Sequence, residues 1–251
     1  MSRWRGDPRL EAAGKRLAEA GRLIAVVSGK GGVGKSVVSA ASALALSKLG
    51  YRVGLLDLDF HGPSAHVVLG AGKASPKEEK GVVPPLVHDV RLMSLVYYSG
   101  DRPSPLRGAE VSNAMLEMLA ITRWGPLDFL IVDMPPGTGD EVLDLLRVMK
   151  RAEFLVVTTQ SKMAWETVRK LLDFLKELEV PVLGVVENLR MSDVAFIKKQ
   201  AEKLGIPFLG SIGFDRRLED AVGKPEKLSK TSFARDLEKI LNRSLRGGNH
   251  D

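Results

Sequence analysis

The stretch AVVSGKGGVGKSVVS, residues 25–39, places four glycines among the eight residues from Gly29 to Ser36. It follows the pattern GxxxxGK[ST] of a phosphate-binding P-loop, with an apolar β-like run before it and a helix-like pattern after it. Glycines let the backbone turn through dihedral angles that other residues avoid, so successive N–H groups can point at phosphate oxygens. The stretch predicts a nucleotide-binding loop; the alternative is a glycine-rich turn without a function.

Two side chains of this loop have predicted roles. Lys35 is expected to reach the β- and γ-phosphates of a nucleotide, and the hydroxyl group of Ser36 is expected to bind Mg²⁺. The amino end of the following helix adds partial positive charge, which favours a bound anion. A second lysine, Lys30, also lies in the loop, and the P-loop pattern by itself does not require it.

Apolar runs and helical patterns alternate along the rest of the chain. Strands are expected at 23–29, 51–60, 90–98, 128–134, 153–159 and 182–188, and the stretch 201–212 is expected to hold a helix end and a last strand. Helices are expected at 7–20, 35–49, 111–120, 140–150, 165–179 and 230–246. This alternation predicts an α/β fold with a mostly parallel central sheet and helices on both faces. Residues 1–21 are predicted to be an N-terminal helical extension, residues 22–251 a single P-loop ATPase domain, and residues 70–89 a flexible insertion.

The composition restricts the chemistry that is available. The 251 residues include 44% hydrophobic and 27% charged residues, with a formal net charge of +6. Because basic and acidic residues are interleaved as on solvated helix faces, neither nucleic acid nor membrane is a favoured partner. No apolar run approaches the roughly 18 residues that span a bilayer and no signal-peptide pattern opens the chain, so a cytoplasmic protein is expected. Cysteine is absent, which excludes an iron–sulfur cluster held by thiolates of this chain.

Aspartates follow two of the apolar runs. Asp133 ends the run DFLIVD, where a carboxylate is costly unless a cation pairs with it, so a site for the magnesium ion is expected there. Asp57 and Asp59 close the second strand, and strand alternation is expected to put both on one face of it.

The loop and four further segments resemble one family. KGGVGKS is similar to the deviant P-loop of the Mrp and MinD/ParA ATPases, which are SIMIBI-type P-loop NTPases, and the extra lysine is its signature. The segments GLLDLDFHGPS, DFLIVDMPPGTGDE, VPVLGVVENL and LGIPFLGSIGFD resemble the Mrp branch, with order and spacing in agreement from about residue 22 to 225.

The resemblance implies a homodimer that encloses two ATP molecules and hydrolyses them slowly with Mg²⁺. Lys30 would cross to the partner's phosphates and Asp59 would orient the attacking water, which makes Lys30, Lys35 and Asp59 the expected catalytic residues. The expected magnesium ligands are Ser36, Asp57, Asp59 and Asp133. The expected nucleotide contacts are Gly29, Lys30, Gly31, Gly32, Val33, Gly34, Lys35, Ser36, Val37, Asn188 and Pro207, the last two at the adenine. Arg107 and Gly108 resemble a pair on the dimer face.

The sequence departs from Mrp-type proteins after Asn188. Those proteins carry a CxxC pair there for a bridging iron–sulfur cluster, whereas this chain reads ENLRMSDVAFIKKQ. A cysteine-free protein similar to HypB of [NiFe]-hydrogenase maturation is therefore the first expectation, with a HypA-like nickel chaperone as partner. An iron–sulfur assembly ATPase without its own cysteine ligands is the alternative.

A spatial organiser of the MinD or ParA type, binding membrane or DNA, is the third interpretation. The closing segment 230–246 carries an apolar stripe, which fits either a membrane anchor or a helix packed on the domain, and packing is favoured. His61 and His66 could touch a metal, but a polar surface role is favoured for both.

Overall fold

The computed structural model describes residues 4, 6–60, 62–99, 106–149, 151–193 and 195–246. The strands in these ranges are β1 Ala20–Val27, β2 Val53–Asp57, β3 Lys77–Glu78, β4 Val82–Val83, β5 Leu86–Val87, β6 Val90–Ser94, β7 Leu127–Asp133, β8 Glu153–Thr159, β9 Val182–Arg190 and β10 Phe208–Gly213. The helices are α1 Arg9–Leu17, α2 Lys35–Lys48, α3 Ala65–Leu69, α4 Val96–Ser99, α5 Ala109–Ile121, α6 Asp140–Val148, α7 Lys162–Glu177, α8 Phe196–Lys203, α9 Leu218–Ala221, α10 Pro225–Leu228 and α11 Ser232–Arg246.

Eight of the strands form one sheet in the order β10-β9-β8-β1-β7-β2-β6-β5. Every pair in it is parallel except the last, in which β5 runs antiparallel to β6. Because Asp133 lies opposite both Val26 and Asp57 in the register, the carboxyl ends of β1, β7 and β2 meet at one edge of the sheet. The predicted fold class is confirmed.

Helices cover both faces of this sheet, because its strands are apolar on both sides. One core contains residues of α1, α5, α6, α7 and α8, and the other contains residues of α2, α3 and α11. In α11 the side chains of Phe233, Leu237, Ile240 and Leu241 are buried, and the helix contacts β10 and α2. The apolar stripe of the closing helix is therefore used in packing. None of the helices in the described ranges combines the length and apolar character needed to cross a membrane.

The predicted strand at 90–98 is shorter than expected. Strand β6 ends at Ser94, and the short helix α4 begins at Val96. The hydroxyl group of Ser94 accepts the Val96 N–H at 3.4 Å, and the Tyr98 N–H donates to the carbonyl of Leu95 at 2.8 Å. After Ser94 these local bonds take the place of hydrogen bonds to a neighbouring strand. The hydrophobicity of the sequence alone does not reveal this change.

The segment predicted as a flexible insertion contains regular structure. Strands β3 and β4 pair as a small hairpin, and the Arg123 N–H donates to the carbonyl of Val82 at 2.7 Å. Backbone bonds thus fasten this hairpin to the body of the protein. At the other end of the chain, β1 begins at Ala20, so the boundary predicted at residue 22 falls inside a strand.

Two glycines provide a test of the packing. A Cβ atom at Gly54, inside β2, would lie 2.7 Å from Leu127 and 2.9 Å from Leu130 and Trp124, whereas a Cβ atom at Gly14 on α1 would meet nothing within 4 Å. We expect Gly54→Ala to lower the free energy of unfolding by about 1–3 kcal/mol through overpacking. Gly14→Ala is the matched control and should raise it by roughly 1 kcal/mol, because alanine favours helix. Urea unfolding measures both, and an unchanged midpoint for Gly54→Ala would contradict the packing of β2.

Candidate nucleotide-binding site

The P-loop joins β1, in the middle of the sheet, to the amino end of α2. Gly32 and Gly34 have φ angles of 77° and 81°, which are left-handed conformations that suit glycine. The loop encloses a cavity of about 260 Å³. Its walls are Lys30 to Val37 together with Ser28, Asp59, Gly62, Ser64 and Pro136. All the predicted loop contacts except Gly29 line this cavity.

A buried ion pair lies beneath the loop. Lys35 is 5% exposed and Asp133 is fully buried, and Lys35 Nζ lies 2.6 Å from Asp133 Oδ1. Ser39 Oγ, one helical turn after Lys35, lies 2.9 Å from the same carboxylate oxygen. Lys35, the first residue of α2, and Asp133, the last residue of β7, are therefore in direct contact. This contact holds the start of α2 on β7.

The surroundings of Asp133 fit a magnesium ion. Its second carboxylate oxygen, Oδ2, is buried and accepts no hydrogen bond from the described residues. Ser36 is also close to the ion pair, because its hydroxyl oxygen lies 3.5 Å from Lys35 Nζ. Carboxylate and hydroxyl oxygens are ligands that Mg²⁺ accepts. Ser36 and Asp133 are therefore the residues here that would hold the ion, which would neutralise charge on the nucleotide's phosphates.

Asp57 has a different position from the one expected. It is fully buried, does not line the cavity, and accepts backbone N–H bonds from Asp59 at 3.0 Å and from Ser64 and Ala65 at 3.1 Å. Burial, and next the negative charge of Asp133, raise the pKa of Asp57 above the usual carboxyl range. Asp57 thus shapes the loop that follows β2 from inside.

Asp59 does line the cavity. It lies beyond the end of β2, where strand alternation no longer applies, so the prediction that Asp57 and Asp59 share a strand face is wrong. Its Oδ1 accepts the Gly62 N–H at 3.1 Å, and its side chain is partly exposed. A carboxylate at the cavity wall, on a loop anchored by Asp57, can reach a ligand that enters the cavity.

Lys30 is exposed at the open side of the loop. Its carbonyl accepts the hydroxyl of Ser28 at 3.0 Å, and its side chain forms no ion pair with the described residues. The carbonyl of Ser28 in turn accepts the Gly137 N–H at 2.9 Å, which ties the PPGTG loop to the P-loop. The chain leaves the ammonium group of Lys30 available to a ligand or to another molecule.

Asn188 lies behind the P-loop. Its side chain is 1% exposed, and Nδ2 donates to the carbonyl of Val33 at 2.9 Å, while Oδ1 has no hydrogen-bond partner among the described residues. The amide therefore supports the loop from the end of β9, in addition to any contact it could make with a base.

Other predicted residues are not brought to the cavity. Pro207 precedes β10, and its carbonyl accepts the N–H of Val185, in the amino-terminal half of β9. The register places the next residue, Phe208, level with Val27 at the end of β1, but three strands away across the sheet. Pro207 is not among the cavity walls, and its contact with adenine stays a prediction. Arg107 and Gly108 precede α5 outside the cavity walls. His66 lies on α3, and His61 falls outside the described residues.

Four cavity or network residues were not predicted: Ser28, Ser39, Gly62 and Ser64. Ser39 follows Lys35 by four positions, so helical spacing alone places both side chains on one face of α2, a signal that was available. Gly62 and Ser64 reach the cavity through the loop after β2, whose path depends on the hydrogen bonds to Asp57, and Ser28 directly follows β1.

Gly29 is needed for packing rather than for the cavity. A Cβ atom there would lie 2.5–2.7 Å from atoms of Thr167 and Val168, including the backbone of α7, whereas a Cβ atom at Gly31 would meet nothing within 4 Å. We expect Gly29→Ala to lower the free energy of unfolding by about 1–3 kcal/mol. Gly31→Ala should leave stability unchanged and weaken ADP binding, because its methyl group would occupy space in which a phosphate would contact the backbone. Thermal unfolding and calorimetry separate these effects, and equal ADP affinity in Gly31→Ala and wild type would exclude a phosphate at that position.

Comparisons with known proteins agree with this geometry. Residues 19–245 match the ParA family model described as NUBPL iron-transfer P-loop NTPase. Two relatives are both named iron–sulfur cluster carrier protein. The one from Pyrococcus abyssi is 35% identical over 252 aligned positions, covering 88% of this chain and 85% of the relative. The one from Pseudomonas fragi is 44% identical over 177 positions, covering 69% of this chain and 62% of that protein's length.

Solved structures share the fold. A nucleotide-binding protein from Archaeoglobus fulgidus in complex with ADP has a TM-score of 0.77 at 29% identity, covering 90% of this chain and 96% of that one. MinD from Pyrococcus horikoshii with Mg-ADP has a TM-score of 0.68 at 19% identity, covering 91% and 96%, which shows the fold alone.

The expected likeness to HypB has no support among these relatives, whereas the expected Mrp and MinD/ParA family is confirmed. With a family match over most of its length and relatives above 30% identity, the chain belongs to the NUBPL-type branch of the ParA family of P-loop NTPases.

Proposed function

We propose that this chain is an ATP-hydrolysing homodimer that serves iron–sulfur cluster assembly, with the cluster ligands supplied by a partner protein. The observation that carries the proposal is the buried contact between Lys35 and Asp133 beneath an open P-loop cavity. A lysine already placed at the cavity and a carboxylate with one free oxygen are what a magnesium–triphosphate ligand requires.

Hydrolysis would rest on positioning and charge. Phosphoryl transfer needs neutralisation of the phosphate oxygens and orientation of the attacking water rather than a strong base. Lys35 would exchange the carboxylate of Asp133 for the phosphates, and Asp59, at the cavity wall, would orient the water. Mg²⁺, held by Ser36 and Asp133, would supply the remaining positive charge.

The dimer would complete the site. Lys30 is exposed on the open side of the cavity, where a second copy would meet it, and it forms no ion pair with the described residues. One neighbour of similar fold, MinD from Pyrococcus furiosus, is named a cell division ATPase, and another is solved with Mg-ADP. We propose that Lys30 reaches the nucleotide of the opposite subunit, so that hydrolysis depends on pairing.

The cargo is inferred from two facts. Relatives above 30% identity are named iron–sulfur cluster carrier proteins, yet this chain has no cysteine. No group of three or more His, Cys, Asp or Glu side chains that could hold a metal ion occurs in the described ranges. The residues present do not fit a cluster, so the thiolates that hold it must belong to another protein.

The organiser interpretation is less well supported. The structural neighbours named MinD are about 19–21% identical to this chain, and the apolar stripe of α11 faces its own core. Over residues 232–244, the part of α11 whose side chains are described, no large hydrophobic side chain is exposed.

Substitution of Lys30 tests the proposed pairing. We expect Lys30→Ala to bind ATP with nearly wild-type affinity and to hydrolyse it at least about 100-fold more slowly, as when one preorganised charge is removed from a transition state. Lys230→Ala removes another exposed lysine, which does not line the cavity, and should retain full activity. Steady-state phosphate release and nucleotide titration measure the two effects. If Lys30→Ala hydrolyses ATP at the wild-type rate, the role across the interface is excluded.

Isolation of the protein with its partner tests the cargo. The tagged chain is recovered from its source cells with ATP, with ADP and without nucleotide, and the metals and acid-labile sulfide of the eluate are measured. We expect iron and sulfide in a co-purifying cysteine-containing protein, in amounts that change with the nucleotide. Nickel without sulfide would overturn the iron–sulfur proposal, and so would an eluate with no metal under all three conditions.

A further inference from the structure

A second cleft lies at the sheet edge opposite the P-loop. It is bounded by the end of α1, the β3–β4 hairpin and the loop that leads into β7, and its volume is about 500 Å³. The seven residues of β7 separate it from Asp133, a distance of roughly 20 Å along the strand. The cleft is therefore distinct from the nucleotide site.

Charged side chains dominate its lining. Arg16, Arg91 and Arg123 contribute three guanidinium groups, all partly buried, and Glu19 and Glu79 contribute two carboxylates. The floor includes Trp124, which is 1% exposed. Ordinary small-molecule pockets are lined mainly by apolar side chains with a few polar groups, and this cleft differs from them in its concentration of arginine.

Among the described residues, a carboxylate of the cleft pairs with only one of these arginines, Arg16. Glu19 is fully engaged, because Oε1 accepts from Arg16 Nη1 at 2.8 Å and Oε2 accepts from the Gly125 N–H at 3.2 Å. Arg123 Nη1 donates to the backbone carbonyl of Glu79 at 2.6 Å, which supplies no charge.

Arg91 lies on β6, and its guanidinium group has neither a hydrogen bond nor an ion pair within the described part of the chain. Two positive charges, on Arg91 and Arg123, thus lie in a recess without a carboxylate partner among the residues that the structure describes. A partly buried guanidinium group is stabilised when it meets an anion. The three arginines come from separate elements, so an occupant has to extend across the cleft to meet all of them.

Recognition of acidic motifs by clustered arginines is a recurrent mode of peptide binding. From this arrangement we infer that the cleft binds an acidic segment of a partner protein, its side-chain carboxylates meeting Arg91 and Arg123. The inference rests on the proposed function for the partner's identity, because a chain without cluster ligands needs a protein that carries them. The cleft leaves the nucleotide edge free, so the partner and ATP can be bound together.

Fluorescence anisotropy with a labelled hexaglutamate peptide tests the cleft, with hexaglutamine as the uncharged probe. We expect saturable binding of hexaglutamate that weakens with salt, and Arg91→Gln should weaken it roughly tenfold by removing a charge-assisted contact. Arg235→Gln is the matched control: it removes the same charge from an exposed position on α11 and should leave binding unchanged.

Three results would overturn the inference. One is hexaglutamate binding no tighter than hexaglutamine, and another is an equal loss in Arg91→Gln and Arg235→Gln, which would indicate the net charge of the whole protein. The third is displacement of the peptide by citrate at concentrations lower than those of the peptide itself, which would assign the cleft to a small anion. Because Arg91 is remote from the P-loop, ATP turnover measured on the same variants keeps this result separate from the proposed ATPase.

Discussion

The buried pair of Lys35 and Asp133 is the contact on which the nucleotide site depends. Taking both charges out of water is costly, and the cost is offset only by close geometry and further hydrogen bonds, which the 2.6 Å separation and the hydroxyl of Ser39 provide. Since Asp133 ends a central strand and Lys35 begins α2, the pair fixes the P-loop relative to the sheet. A phosphate that draws Lys35 away from Asp133 therefore removes the cation that is paired with the residue that would hold the metal.

The sequence predicted the sheet well because parallel strands buried on both faces are nearly continuous apolar runs. It also predicted the P-loop, whose glycine spacing is set by local backbone geometry. Periodicity failed where local polar bonds compete with it. Ser94 ends β6 inside an apolar run, and Asp59 leaves the strand that Asp57 closes. Pro207 was assigned from a resembling segment, and a one-dimensional match does not say how far across the sheet a residue lies from the cavity.

The cargo is where family and chemistry diverge. The chain is identical to a carrier from Pyrococcus abyssi at 35% of the aligned positions, yet it has no thiolate. The absent cysteines were visible in the sequence and led to the expectation of nickel, although loss of a ligand does not by itself identify a different metal.

The backing of the P-loop by α7 and β9 has a thermodynamic consequence. Gly29 abuts the backbone at Thr167 and Val168, and Asn188 holds the carbonyl of Val33. These segments of the loop lose their conformational entropy when the chain folds, so that loss does not oppose ligand association. Affinity for nucleotide is consequently linked to the tightness of helix packing on one face of the sheet. Sequence changes deep in that layer, which touch no ligand, can tune the fraction of protein that is loaded in the cell.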